Sequence, residues 1–150
     1  MNRKIAVLII DDEKDIRRIL EYALKLEGFL VYSASNGQAG IEIATEKKPD
    51  VILLDWVMPK MNGLEVLSKI RRDERTKNII VLMLTAKNMM DDVETALANG
   101  ADDYIPKPLE GAELGLRIMG ILGVLREQKP DRSAPQKLMQ GLREGISRSR

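Results

Sequence analysis

The chain of 150 residues contains no cysteine and no histidine. Without cysteine there are no disulfides, thiol nucleophiles or cysteine-based zinc sites. Without histidine as well, any metal must be held mainly by oxygens, which favours Mg²⁺, Ca²⁺ or Mn²⁺. Aromatic residues make up only 3%, so Ile, Leu, Val and Met must fill most of a core drawn from 44% hydrophobic content. Neither sign of charge dominates, with 24 Lys/Arg against 23 Asp/Glu. No overall field therefore favours nucleic acid or an anionic membrane as a partner. Long apolar runs are missing too: no stretch approaches the roughly 18 residues of a membrane span. The apolar run at 5–10 is too short for a signal peptide and meets Asp11-Asp12-Glu13 at once. One soluble, cytoplasmic domain with a short appendage is expected.

What is present is an alternation. Short apolar runs at 4–10, 30–34, 51–54, 79–84 and 103–105 read as strands, several of them apolar throughout, as in a parallel sheet covered on both faces. Segments of helical period lie between them. Ile16, Ile19, Leu20, Ala23 and Leu24 form one stripe, stopped by Gly28. Asn36-Gly37 opens a second helix and Lys47-Lys48-Pro49 closes it. Leu64, Leu67 and Ile70 line a third. Val93, Ala96 and Leu97 line a fourth, ending at Asn99-Gly100. Leu114, Ile118, Ile121 and Leu125 line a fifth. Five βα units in series predict an α/β, doubly wound parallel sheet with helices on both faces. Ligands of such sheets bind at the carboxyl ends of the strands. Asp11, Asp12, Asp55, Thr85 and Lys107 all fall there.

After Arg126 the composition changes. Residues 128–135 contain two prolines and read as a linker. Leu138, Met139, Leu142 and Ile146 then share one helical face, predicting a short helix at 136–146 interrupted by Gly141 and Gly145. The segment from Arg126 onward carries seven Lys/Arg against three Asp/Glu, a net of +4, while the remainder is 17 against 20, a net of −3. The domain is expected over 3–126 and a basic linker or tail over 127–150. The tail is too short for a helix-turn-helix module, so direct DNA reading is not expected.

An aspartate pair after a strand commonly caps the helix that follows, and taken alone Asp11-Asp12 reads that way. Asp55, at the tip of Val51-Ile52-Leu53-Leu54, changes the balance. Like charges about 4 Å apart repel by roughly 4 kcal/mol at an effective dielectric of 20. A bound hard dication offsets that repulsion. Mg²⁺ typically takes one or two carboxylates, several waters and a phosphate oxygen. Lys107 before Pro108 could be a plain surface lysine; beside a carboxylate–metal site its ammonium can meet a phosphoryl group. The Thr85 hydroxyl could donate to the same group.

Four segments carry a resemblance: Ile9-Ile10-Asp11-Asp12, the run from Leu54-Asp55-Trp56 to Asn62-Gly63, Leu84-Thr85-Ala86, and Asp103-Tyr104-Ile105-Pro106-Lys107-Pro108. Over roughly residues 3–126 the chain resembles the receiver domains of two-component response regulators. The resemblance implies a flavodoxin-like (βα)5 sheet of strand order 2-1-3-4-5, a property carried over from the family. It implies Asp55 as the nucleophile that takes a phosphoryl group from a phosphohistidine on a sensor histidine kinase or phosphotransfer protein. It implies Mg²⁺, with Mn²⁺ able to substitute, held by Asp12, Asp55 and the main-chain carbonyl of Val57, with Asp11 acting largely through water. Lys107 would pair with the phosphoryl oxygens, its bond to Pro108 cis. Thr85 and Tyr104 would then switch the face of the fourth helix, fifth strand and fifth helix toward a downstream target or dimer mate. Val57 and Lys87 flank the family's water path, and their side chains predict slow self-hydrolysis. The chain is expected to be a phosphoacceptor, promoting its own Mg²⁺-dependent phosphorylation and dephosphorylation, and no enzyme in the ordinary sense.

Three competing classes fit less well. An aspartyl phosphohydrolase of the haloacid-dehalogenase kind would want an acid at position 57, where valine stands. A dinucleotide site would want Gly-x-Gly-x-x-Gly after the first strand; Asp11-Asp12-Glu13-Lys14-Asp15 would repel a pyrophosphate. A phosphorylation-independent adaptor on the same fold remains the alternative.

Overall fold

The computed structural model describes residues 3–85, 90–107 and 111–128. Five strands, β1 (Ala6–Ile10), β2 (Leu30–Ala34), β3 (Val51–Asp55), β4 (Ile80–Thr85) and β5 (Asp103–Pro106), alternate with five helices. The helices are α1 (Lys14–Leu26), α2 (Gly37–Lys47), α3 (Gly63–Arg72), α4 (Met90–Ala98) and α5 (Gly111–Gln128). All strand pairs are parallel, in the order β2-β1-β3-β4-β5. This is the flavodoxin-like, doubly wound α/β sheet expected. The expected short helix at 136–146, most of the basic tail, Lys87 and Pro108 lie outside the described residues.

Alternation along the strands sorts the core into two layers. Val7, Ile9, Leu53, Leu82 and Leu84 face α1 and α5, where Leu24, Leu114 and Ile118 cover them. Leu8, Ile10, Leu54, Val81 and Met83 face the other side, covered by Val66, Leu67, Ile70 and Ala96. The three inner strands are buried at every position, which is why they read as continuous apolar runs.

The helix stops form as their residues dictate. Gly28 (φ 93°) and Gly100 (φ 109°) adopt the left-handed conformation that disfavours a side chain. At each, two amides turn back into the helix: Gly28 N–H to Lys25 O and Phe29 N–H to Leu24 O, then Gly100 N–H to Leu97 O and Ala101 N–H to Ala96 O. These are Schellman closures, and buried Phe29 and Leu24 supply the accompanying apolar contact. Asn36 caps α2 by accepting from Ala39 N–H at 2.8 Å. Asn62 and Glu65 cap α3 reciprocally, at 3.0 and 3.4 Å.

Several sequence expectations shift. β1 and β4 begin later than expected, at Ala6 and Ile80, while β3 gains Asp55. Ile19 was expected on the core stripe of α1 but is 57% exposed. Leu20 and Leu24 carry that packing, because only part of the predicted stripe turns under the sheet. Val66 and Leu122 are buried although unassigned by the period.

Candidate phosphoryl-acceptor site

β1 and β3 are adjacent, and Ile10 pairs with Leu54. The residues that follow, Asp11 and Asp55, therefore leave the sheet side by side. One carboxylate oxygen each from Asp11, Asp12 and Asp55 lies within 4.8 Å of the others. Asp11 is fully buried, Asp55 is buried and Asp12 is exposed. β5 lies beyond β4, and the chain leaves it at Lys107 to reach back over the cluster. Its Nζ contacts Asp11 Oδ2 at 2.9 Å and Asp55 Oδ1 at 3.3 Å. Lys107 N–H donates to Thr85 O, which fixes this exit.

Asp11 has two duties. Its Oδ1 accepts from Glu13 N–H at 2.9 Å, while Oδ2 receives the Lys107 ammonium. Glu13, the residue at the cap of α1, makes no side-chain cap hydrogen bond. Neither aspartate is the cap residue the pair taken alone would supply; Asp11 instead turns the chain into α1 through the Glu13 amide while its other oxygen joins the cluster.

Gly63 holds the floor of the site. Its N–H donates to Trp56 O at 2.8 Å. A Cβ at this position would stand 2.6 Å from Asp55 O and 2.9 Å from Trp56 Cα. Backbone cannot yield as a side-chain tip can, so only glycine lets α3 begin so close behind the acid.

Electrostatics follow from the crowding. Burial first, then the Asp11 charge, push the Asp55 carboxyl up to about 6, and the nearby Lys107 only partly offsets them. For Lys107, burial works against the charged form, yet its hydrogen bond to Asp11 and the Asp55 charge outweigh it and the pKa is raised. The ammonium stays charged. Among the described residues, three carboxylates against one ammonium leave a negative surplus, and the carboxylates are all hard oxygen donors. These residues fit a divalent cation such as Mg²⁺.

Of the other residues singled out, Thr85 is buried at the tip of β4, beside Asp55's partner Leu84. Tyr104 is half-buried against the α2–α4 layer, and its carbonyl accepts from Arg117 Nη2 at 3.0 Å. Val57 is 78% exposed, so its side chain shields nothing from water.

Sequence reasoning missed a second charged group at the opposite end of the sheet. Arg71, at the end of α3, donates to Gly100 O, Lys77 O and Ile79 O and pairs with Asp102 at 3.0 Å. Asp102 is fully buried and also accepts from Val81 N–H. The aspartate pair Asp102-Asp103 at the start of the last strand was the one available signal. Its partner lies 31 residues earlier.

An aspartate cluster bridged by lysine stands at the carboxyl ends of a five-stranded parallel sheet in the order 2-1-3-4-5, the arrangement of the receiver class of signalling domain. Comparison with known proteins agrees: the family model for the response regulator receiver domain matches residues 7–119. The chain belongs to that family and is a receiver domain of the two-component response regulators. It is 41% identical over 116 residues to the phosphate regulon transcriptional regulatory protein PhoB of Pseudomonas aeruginosa, covering 77% of this chain and 51% of that protein. It is 39% identical over 129 residues to the transcriptional regulatory protein SrrA of Staphylococcus aureus, covering 86% and 52%. The chain thus spans about half the length of the curated relatives it matches. Among solved structures, Vibrio cholerae chemotaxis protein CheY4 superposes with a TM-score of 0.77 at 28% identity, covering 80% of this chain and all of that one. A response regulator described as putative, from Chloroflexus aurantiacus, gives 0.76 at 30%, covering 81% and 99%. No helix among the described residues is long and apolar enough to cross a membrane.

Proposed function

We propose that this receiver takes a phosphoryl group on Asp55 from a phosphohistidine of a sensor histidine kinase or phosphotransfer protein, and that Mg²⁺ at Asp11, Asp12, Asp55 and the Val57 carbonyl is required. The observation that carries the reading is the surplus of carboxylate at the strand tips, bridged by a single ammonium. An Asp55 oxygen attacks phosphorus in line, forming the O–P bond as the P–N bond breaks and its electron pair returns to the donor imidazole. Such transfers need positioning and charge neutralisation more than covalent machinery. When bound, the metal neutralises the acids and the incoming phosphoryl oxygens. Lys107 is already within reach of Asp55 and needs only to turn from carboxylate to phosphoryl oxygen. Thr85, one residue beyond Asp55's partner in β4, donates its hydroxyl to the same group. Tyr104 moves from half-buried to buried behind it, altering the face of α4, β5 and α5 that a downstream protein or dimer mate reads.

The receiver unit is residues 3–126 with a basic tail at 127–150, and the chain works in the cytoplasm. With no histidine it cannot supply its own phosphohistidine. The apolar Val57 side chain orients no water, which favours a long phosphoryl lifetime. Incubation with Mg²⁺ and acetyl phosphate should yield an acid-labile phosphate on one peptide, at Asp55, and Asp55→Asn should eliminate it. Trp56, half-buried beside the acid, should report both metal and phosphodonor by fluorescence. If no phosphate is gained with a competent donor, the domain is an adaptor that binds partners without phosphorylation.

A further inference from the structure

Among the described residues, nothing covers the outer face of α5 at Leu116 and Met119. Leu116 is 77% exposed and Met119 50% exposed. Exposed Gly120 and Gly123 continue the same helical side at i+4 and i+7 from Leu116. Nothing lies within 4 Å of where a Cβ would stand on either glycine, so a second helix could approach the backbone closely there. From Ile118 to Val124 the helix carries no charged residue. A helix that is apolar all round is ordinarily covered all round. Beside this strip opens a cleft of about 660 Å³, lined by Ile5, Phe29, Leu116 and Met119 with the charged Arg3, Lys4 and Glu27.

We propose that this face is covered by the chain's own C-terminal segment, residues 136–146, folding back as an amphipathic helix along Leu116, Met119, Gly120 and Gly123. The segment leaves from the same helix, beyond Gln128. Met119 to Gln128 is about 13 Å of helix. The stretch 129–135 can span roughly 23 Å when extended, enough to double back over that distance. A helix over 136–146 would be about 16 Å long, enough to cover the roughly 10 Å from Leu116 to Gly123. Leu138, Met139, Leu142 and Ile146 would face it. Gly141 and Gly145 stand beside that stripe, so small residues on both helices allow close packing. Arg143 flanks the stripe, and Glu27 and exposed Glu113 border the face beside Lys4 and Arg3. This docking needs no phosphorylation, and its test is independent of Asp55.

The absence of native cysteine makes the test clean. Leu116→Cys and Leu142→Cys are introduced together into the full chain and treated at low protein concentration with a short bismaleimide. The expected result is a cross-link within the monomer. Adding Met139→Asp and Ile146→Asp should slow it at least about tenfold, because contact rather than tethering sets the effective concentration. An unchanged rate would mean random encounter and overturn the proposal. So would the absence of any cross-link. A product of twice the mass, favoured by concentration, would overturn it too and assign the face to a second copy.

Discussion

The two ends of the sheet use the same kinds of residue to opposite effect. At the amino end, buried Asp102 meets Arg71 and the Val81 amide, and Asp50 meets Arg3 and the Ala6 amide. Each acid there has a cation and a backbone donor. Arg71 in turn binds three carbonyls, tying the end of α3 to the start of β4 and the turn before β5. At the carboxyl end, among the described residues, Asp11, Asp12 and Asp55 cluster around one ammonium, Lys107, which bridges Asp11 and Asp55. A closed charge network holds a structure together. A network with one sign left over stores repulsion that a ligand of the other sign can relieve.

The sharpest way to break this contrast is to remove a cation from the closed end. Arg71→Met leaves Asp102 buried without its cation and should cost about 3–5 kcal/mol in urea unfolding. Asp55→Asn should act in the opposite direction, stabilising the metal-free protein at pH 7. With the Asp55 pKa near 6 in the fold and its ordinary value at 3.8, the folded state holds more protons between those values. Stability from this group therefore falls as pH rises from about 4 through 6, by on the order of 2–3 kcal/mol. Denaturant midpoints of the metal-free protein should show that slope, and Asp55→Asn should flatten it. If both substitutions destabilise alike at pH 7, the two ends are not different in kind. Gly63→Ala sharpens the contrast geometrically. Its Cβ would press on Asp55 O and Trp56 Cα, so a loss of roughly 1–3 kcal/mol is expected, together with weakened Mg²⁺ response of Trp56 fluorescence. Lys48→Gly is the mild reference. Lys48 caps α2 at φ 46°, and relieving that conformation should alter thermal stability by less than about 1 kcal/mol, in the stabilising direction.

Much of the fold was legible because its signals are local. Continuous apolar runs marked strands buried on both faces, and Gly28, Asn36 and Gly100 marked helix ends where the caps form, whereas the Asn62 cap of α3 went unmarked. The acid cluster was legible for a different reason: parallel βα alternation places every strand tip at one edge, so Asp11, Asp55 and Lys107 had to converge. Arg71 and Asp102 stayed hidden because nothing in a helix-end arginine names its partner across the fold. Ile19 misled for a related reason. Helical period gives a face but not how far that face turns under the sheet, and at Ile19 it has already turned outward. Val66 erred the other way, packed beneath α3 at a position the chosen stripe left out.

Unneutralised carboxylates at the strand tips are what a cation and a phosphoryl group would meet in this protein. The most direct measurement is an NMR titration of the Asp55 side-chain carboxyl, with and without saturating Mg²⁺. A midpoint near 6 in the metal-free protein, falling well below the ordinary carboxylate value when Mg²⁺ is present, is the predicted result. A midpoint near 4 that ignores Mg²⁺ would contradict it.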